Sequence, residues 1–210
     1  MARLRNKTNA YKLIENYPNY KKISEIKLKN NKVYLEIGSG KGVFLITSSL
    51  QNKNITYIGI EKNPTIILKA LKKINPTIVI KNLVFTMTNI QDICIKQFKR
   101  KIDKIFINFP DPWPKKRHEK RRLTSSSFVN IYKQFLKDDG LIELKTDNDN
   151  LYYWTINNLS SRKDCKIIYQ TTNLYAELNN NFNKNNIQTE YEMKFVSQQK
   201  RINKIIWKFL

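Results

Sequence analysis

Hydrophobic and polar positions along the chain switch repeatedly between two periods. Val33-Tyr34-Leu35-Glu36-Ile37 is a short apolar run that stops at glycines, which predicts a strand, and Val43 to Leu50 has the spacing of a following helix. Ile55-Thr56-Tyr57-Ile58-Gly59-Ile60 predicts a second strand. Asn63-Pro64 then supplies an N-cap and a proline at the first helical position, with Ile67, Leu68, Leu71 and Ile74 at helical spacing behind them. Leu83 to Met87 and Lys104 to Asn108 predict the third and fourth strands, and Phe128, Ile131, Tyr132 and Phe135 the next helix. Gly140 to Lys145 predicts a fifth strand, Leu151 to Leu159 a helix, Lys166 to Tyr169 a strand, and Ile205 to Phe209 the last strand. Strands and helices taking turns in this way predict an α/β sandwich with a mainly parallel sheet. Such sheets bind ligands beyond the carboxyl ends of their strands, so the strand-to-helix loops are the places to look.

Length and composition narrow the classes. A chain of 210 residues with 40% hydrophobic residues predicts one domain over residues 1–210, with a short basic segment (about 1–30) packing on or flanking its core. No apolar run reaches the roughly 18–20 residues of a membrane span, and no apolar stretch follows the basic start as in a secretory signal. A cytoplasmic protein, free of membranes, is the expectation. Cys94 and Cys165 have neither CxxC spacing nor histidine neighbours, which predicts two buried thiols and neither disulfide nor zinc site. His118 is the one histidine, so no multi-histidine metal site or serine triad is expected, and no metal at all. Lysine plus arginine number 39 against 17 acids, a net +22 that points to a polyanionic partner, although part of it reflects a general excess of lysine, asparagine and isoleucine. The Asn-rich stretch Asn179 to Asn186 reads as an exposed loop.

The first strand-to-helix loop is Glu36-Ile37-Gly38-Ser39-Gly40-Lys41-Gly42, which holds three of the five glycines of the chain. Glycines at alternate positions let the backbone turn sharply and come close to a ligand. The spacing is GxGxG, neither the dinucleotide GxGxxG nor a P-loop. Glu61 closes the second strand, where an acid can accept both hydroxyls of a ribose. Glu36, just ahead of the glycines, would repel a pyrophosphate but attract a cationic head group. S-adenosylmethionine carries a sulfonium, an ammonium and no phosphate, and it is the expected cofactor. An ordinary tight turn with two solvated acids is the alternative. Asn89, after the third strand, is either an adenine contact or a turn residue, and Lys41 reads as solvated.

After the fourth strand comes Asn108-Phe109-Pro110-Asp111-Pro112-Trp113-Pro114, with three of the six prolines of the chain. Such a segment extends neither sheet nor helix and forms a stiff platform for Asp111 and Trp113. A carboxylate that accepts base N–H groups and an indole that stacks both suit a nucleobase. Equally, Trp113 can plug the edge of the core and Asp111 cap the next segment. Lys115-Lys116-Arg117-His118-Glu119-Lys120-Arg121-Arg122 follows, six cations against one acid, and its position beside that loop predicts a grip on phosphates with His118 as part of the strip. Arg3, Arg5 and Lys7 are a weaker second candidate.

Leu35 to Gly42, Gly59-Ile60-Glu61, the run NFPDPWPKKRHEKRRL from Asn108 to Leu123, Leu144-Lys145-Thr146-Asp147-Asn148 and Thr189-Glu190-Tyr191-Glu192 resemble the bacterial tRNA (guanine-N7)-methyltransferases. The likeness runs in order from about Arg3 to the last strand. The glycine loop is common to many methyltransferases; the proline-rich block followed by KTDN and TEYE is specific. The resemblance implies a Rossmann-like class I methyltransferase fold, a mostly parallel seven-stranded sheet with a reversed last strand and helices on both faces. It implies S-adenosyl-L-methionine as donor, S-adenosyl-L-homocysteine as product, and the guanine at tRNA position 46 in the variable loop as acceptor. By similarity, Glu36, Gly38, Gly40, Glu61, Asn89 and Asp111 bind cofactor, with Asp111 also catalytic. Lys115, Asp147, Thr189, Glu190, Tyr191 and Glu192 hold substrate, and Arg117, His118, Glu119, Lys120, Arg121 and Arg122 touch RNA. Relatives often carry an acid where this chain has Asn89, and an amide can still pair with adenine. From the residues alone Thr189-x-x-Glu192 is a helix capping box, and Asp147 a turn or N-cap residue; only the resemblance gives them a substrate role.

Guanine N7 has an in-plane lone pair and no proton, so its methylation needs placement more than a general base. Three other readings fit parts of the sequence. Asp-Pro-Trp faintly resembles the loop of exocyclic-amine methyltransferases, the basic strip suits an RNA chaperone with an idle cofactor fold, and Glu61 suits an NAD-dependent oxidoreductase. A monomer or a homodimer is the expected assembly.

Overall fold

In the first half of the chain, β-branched runs form strands and the residues between them bury one stripe. The computed structural model describes residues 9–28, 32–74, 77–93 and 98–210. Arg3, Arg5, Lys7 and Cys94, singled out in the sequence, lie outside them. Two compact units divide the chain, residues 1–93 and 94–210. No helix among the described residues is long and apolar enough to cross a membrane.

The first unit holds β1 (Lys32–Ile37), β2 (Ile55–Glu61) and β3 (Leu83–Met87), paired in parallel with β2 in the middle. Its helices are α1 (Ala10–Ile14), α2 (Val43–Gln51) and α3 (Pro64–Leu71). Asn63 caps α3 by accepting from the N–H groups of Thr65 (2.9 Å) and Ile66 (3.3 Å), and Pro64 follows as the sequence predicts. Tyr20 bridges to Phe85, and the buried Asn19 side chain bonds to Ile80 and Leu83, so residues 19–21 cover the outer edge of β3.

The second unit holds β4 (Ile102–Asn108), β5 (Leu136–Thr146), β6 (Cys165–Thr171) and β7 (Asn203–Phe209), with helices α4 (Ser126–Phe135), α5 (Asp149–Ser160) and α6 (Glu190–Ser197). β4 and β5 are parallel, and β7 runs antiparallel to both β5 and β6. The seven strands form one mixed sheet in the order β3-β2-β1-β4-β5-β7-β6, with the last strand reversed and helices on both faces, as expected. β5 begins four residues earlier than Gly140. Leu136 already pairs with Ile102, a register shift follows, and pairing resumes at Leu141 with Lys104. The polar Lys137-Asp138-Asp139 hides this start, because Lys137 is tied to Asp103 (2.8 Å) across the pair. Cys165 is a free thiol and half-buried, not buried as the sequence suggests.

Candidate functional site

The glycine loop between β1 and α2 takes left-handed backbone at Gly38 (φ 74°), Gly40 (φ 55°) and Gly42 (φ 74°), which explains three glycines in five residues. They do different work. A Cβ on Gly38 would meet nothing within 4 Å, and one on Gly40 only the carbonyl of Gly38 at 3.9 Å. A Cβ on Gly42 would strike Phe85 at 2.7 Å and Ala70 at 2.9 Å. Gly42 therefore serves packing, while Gly38 and Gly40 leave open ground for a ligand. The N–H groups of Gly38 and Ser39 both donate to the Ile60 carbonyl (2.8 and 2.9 Å), which ties the loop to the end of β2 beside Glu61.

Two carboxylates belong to this corner. Glu36, at the end of β1, is buried, and Glu61 is nearly so. One oxygen of Glu61 accepts from the Asn63 N–H at 3.0 Å, which fixes its orientation. The Ser39 hydroxyl is buried with no hydrogen-bond partner among the described residues, a cost that a ligand would remove. Open ground above glycines, an orphaned hydroxyl and two acids fit a cationic nucleoside and disfavour a pyrophosphate. Asn89 is exposed and caps the short turn Ile90–Asp92 through a long 3.4 Å bond from the Gln91 N–H, which is the turn role left open in the sequence. Lys41 is exposed, as expected.

In the second unit, the chain leaves β4 through Phe109 (φ 49°) and completes the proline loop at Trp113 (φ 43°). Left-handed backbone is unfavourable for such bulky residues and persists only where the surroundings impose it. Phe109 is pinned by its N–H, which donates to the Lys145 carbonyl at 2.8 Å. Trp113 is half-buried, with the His118 ring edge-on at 5.6 Å and the Arg121 guanidinium over it at 4.9 Å. It is braced on both counts and is a support of the loop. Between these two residues Asp111 is exposed, and its carboxylate accepts no hydrogen bond among the described residues.

The basic strip is folded into a 3-10 turn, Lys116–Arg121, in place of a solvated arm. Lys115, Lys116, Arg117, Lys120 and Arg121 are exposed, and His118 and Glu119 half-buried. Arg122 departs from the expectation. It is buried, and its Nε and Nη2 donate to the carbonyls of Pro112 and Trp113, both at 3.1 Å. Its guanidinium also lies over the Trp154 ring at 4.4 Å, so the contacts seen for Arg122 are with its own loop and with α5.

The TEYE segment is likewise tied into the protein in part. The capping box of α6 is present: Thr189 Oγ1 accepts from the Glu192 N–H at 3.0 Å, and the Thr189 N–H donates to Glu192 Oε2 at 3.3 Å. Glu192 Oε2 also pairs with Lys145, and Oε1 accepts from Tyr175 Oη (2.9 Å) and Asn186 Nδ2 (2.7 Å). Burial, then the charge of Glu192, pushes the Tyr175 phenol up, so it stays protonated and donates. Thr189 and Glu192 are buried and committed inside the protein, whereas Glu190 is half-buried and Tyr191 exposed. Tyr191 stacks with Phe195 (6.4 Å), and Phe195 lies 5.8 Å from Phe109. The exit of β4 therefore meets the last turn of α6, and Tyr191 lies one turn before that contact. Asp147 follows β5, whose Lys145 pairs with Asn108 of β4, so it stands at the same edge. Asn148, and not Asp147, caps α5, by accepting from the Leu151 N–H at 2.8 Å; Asp147 is half-buried with no hydrogen bond among the described residues.

Sequence reasoning missed the buried charges beneath this edge. Glu143 is held by Lys104 (2.8 Å) and Lys204 (3.3 Å), and Lys204 donates to the Phe182 carbonyl at 2.8 Å. Burial alone would raise the Glu143 carboxyl, but the three lysines at 104, 204 and 145 hold it down at about 2. Lys204 itself is lowered, by burial first, against the pull of Glu143. The Asn-rich stretch is largely exposed, as expected, but within it Asn183 is buried and donates to Tyr169 Oη (2.6 Å) and the Glu177 carbonyl (3.0 Å).

Known proteins bear on this geometry. A family model described as a putative methyltransferase matches residues 30–205. The tRNA (guanine-N(7)-)-methyltransferase of Ureaplasma urealyticum serovar 10 is 42% identical, over 99% of this chain and 98% of its own. That of Mycoplasmoides gallisepticum is 41% identical, over 99% of this chain and 100% of its own. Among solved structures, an antibiotic-related methyltransferase is similar in fold, with a TM-score of 0.61 at 16% identity over 99% of this chain and 97% of that one.

Proposed function

The chain belongs to the tRNA (guanine-N7)-methyltransferase family, and from that premise we propose that it methylates N7 of the guanine at position 46 in the variable loop of tRNA, with S-adenosylmethionine as donor. The observation that carries the reading is Asp111, exposed on a loop set between two left-handed residues, with the exposed Arg117, Lys120 and Arg121 on a rigid turn just behind it. A carboxylate there accepts the N1–H and N2–H of guanine and turns adenine away, which lacks that pair of donors. The cations hold neighbouring phosphates and offset the few kcal/mol that unstacking a base costs.

The donor fits the first unit. Glu61 accepts the ribose diol on the oxygen that Asn63 does not use, Glu36 answers the cationic head, and the chain passes beneath it at Gly38 and Gly40 without side chains. Asn89 remains an adenine contact by similarity, since its long capping bond is easily exchanged. S-adenosylmethionine, when bound, supplies the methyl group on a sulfonium, and S-adenosylhomocysteine remains. The residues of the chain have no proton to remove from N7. Their task is to hold the purine in line, and such orientation is worth roughly 7–11 kcal/mol in favourable cases. Positive charge arrives on the purine as the bond forms, and Asp111 stabilises it. Lys115 and Asp147 flank the base, Tyr191 offers a stacking face, and Thr189 and Glu192 act by fixing α6. The protein works in the cytoplasm on its tRNA substrate.

The test is transfer of labelled methyl from S-adenosylmethionine to unmodified tRNA, mapped by cleavage specific for 7-methylguanine. One labelled guanine in the variable loop is the expected result. Label on an exocyclic amine or at another site overturns the reading, as does cofactor binding with no label in tRNA.

A further inference from the structure

Arg122 belongs by sequence to a strip of six cations, yet it alone of them is buried. Three of its surroundings come from different places in the chain. Its Nε and Nη2 donate to two consecutive carbonyls, those of Pro112 and Trp113. Its flat face rests on Trp154 of α5, and Glu119 stands 3.6 Å from Nη1. A guanidinium does this where an ammonium could not, because its donors lie in one plane at fixed angles and the plane can stack.

The loop it grips is one that needs holding. Phe109 and Trp113 both carry left-handed backbone, and Asp111 lies midway between them. Bulky residues keep such a conformation only when contacts on both sides impose it. At the Phe109 end the contact is the hydrogen bond to the Lys145 carbonyl. Pro112 and Pro114 have no N–H to offer, so at the Trp113 end the carbonyls are the handles, and Arg122 takes both.

We propose that Arg122 is a positioning residue for methyl transfer: its guanidinium clamps the Pro112 and Trp113 carbonyls, holds the loop in its left-handed form and so sets the place of Asp111 against the guanine. It makes no phosphate contact. The inference rests on the role given above to Asp111. A displacement of about 1 Å in a positioning group can cost roughly 100-fold in rate, so the clamp acts on turnover more than on binding.

The test uses the full chain labelled with 5-fluorotryptophan, whose three tryptophans (113, 154 and 207) give three fluorine resonances. Arg122→Lys keeps the charge but cannot bridge two carbonyls in one plane. The expected result is a kcat lower by about 10- to 100-fold, with tRNA Kd and its salt dependence unchanged. The Trp113 resonance broadens or shifts, while that of Trp207, buried in the core, stays in place. A salt slope lower by roughly 0.7–0.9, the share of one phosphate, with kcat within twofold overturns the proposal, as does an unmoved Trp113 resonance with unchanged kcat. Should Arg122→Lys disturb the Trp207 resonance as well, Trp154→Leu removes only the stacking face. There a several-fold loss of kcat with a moved Trp113 resonance supports the clamp, and an unchanged kcat overturns it. A wild-type protein that transfers no methyl to tRNA defeats the proposed function, and the Trp113 resonance then decides the clamp by itself.

Discussion

The ammonium of Lys145 and the carboxylate of Glu192 lie 2.5 Å apart, and neither side chain has any exposed surface. Lys145 also donates to Asn186 Oδ1 (3.1 Å) and the Ile187 carbonyl (3.0 Å), so the pair fastens the Asn-rich loop and the cap of α6 to the middle of the sheet. Removing one partner of a buried pair strands the other charge and costs about 3–5 kcal/mol. Lys145→Met and Glu192→Leu should each destabilise by that order in urea unfolding. The double variant should lose much less than the sum, since two apolar groups leave no stranded charge. Additive losses would show that the pair is not a coupled unit.

Glu143 gives the stability of the protein an acid limb. Its carboxyl is held at about 2 in the folded protein against an ordinary 4.5. A depressed carboxyl stabilises the fold fully above the unfolded value and loses that contribution as pH falls from about 4.5 towards 2. With the group wholly buried the contribution is on the order of a few kcal/mol. Urea unfolding of Glu143→Gln should show a large deficit at pH 6 that closes as the pH is lowered to about 2. A deficit independent of pH would mean that packing, and not charge, is what Glu143 supplies.

What the sequence made legible was local, and what it hid was tertiary. The Asn63-Pro64 start of α3, the glycine turn and the end of every strand from β1 to β4 follow from residues a few places apart. Thr189-x-x-Glu192 was legible as a capping box for the same reason. Its second duty was not, because Lys145 is 47 residues away and reads as one more surface cation in a lysine-rich chain. Arg121 and Arg122 are neighbours of identical type, yet one faces solvent and the other is buried. Only the position of Trp154 and of the loop carbonyls separates them. The start of β5 was hidden likewise, since the polar Lys137-Asp138-Asp139 interrupts the apolar pattern ahead of Gly140 and only the pairing of Leu136 with Ile102 places it in the strand.

The glycine loop separates fold from cofactor. Both Gly38 and Gly42 have φ of 74°, so alanine at either should cost about 1–2 kcal/mol in strain. At Gly42 the new Cβ also meets Phe85 at 2.7 Å, and overpacking adds about 1–3 kcal/mol. Gly42→Ala should therefore show the larger fall in melting temperature. Gly38→Ala should keep more stability but lose about tenfold or more in cofactor affinity by calorimetry, because its Cβ enters the space a ligand would fill. Unchanged affinity in Gly38→Ala would remove that loop from the cofactor site.

If the basic turn grips RNA as proposed, the exposed Arg117, Lys120 and Arg121 carry the electrostatic part of binding. Replacing Arg117, Lys120 and Arg121 by glutamine should lower the slope of log K for tRNA against log salt by roughly 2–3, at about 0.7–0.9 per phosphate. Cofactor affinity, assigned by the proposal to the glycine corner, should not change. A slope that stays as in the wild type would place the RNA on another face of the protein.

Asp147 and Asn148 are an acid and an amide side by side, and of the two only the Asn148 side chain has a hydrogen bond to the fold among the described residues. Asn148 accepts from the Leu151 N–H at 2.8 Å and starts α5, so Asn148→Ala should cost about 1 kcal/mol of stability. Asp147 supports no part of the fold through a hydrogen bond among the described residues, and it stands at the carboxyl edge where β4 and β5 end. Asp147→Ala should melt within about a degree or two of the wild type while kcat/KM for tRNA falls by about tenfold or more, the loss expected when a charged hydrogen-bond partner of a substrate is removed. The reverse pattern, a lower melting temperature with activity intact, would make Asp147 a turn residue and leave Asp111 as the one carboxylate of this edge proposed to meet the guanine.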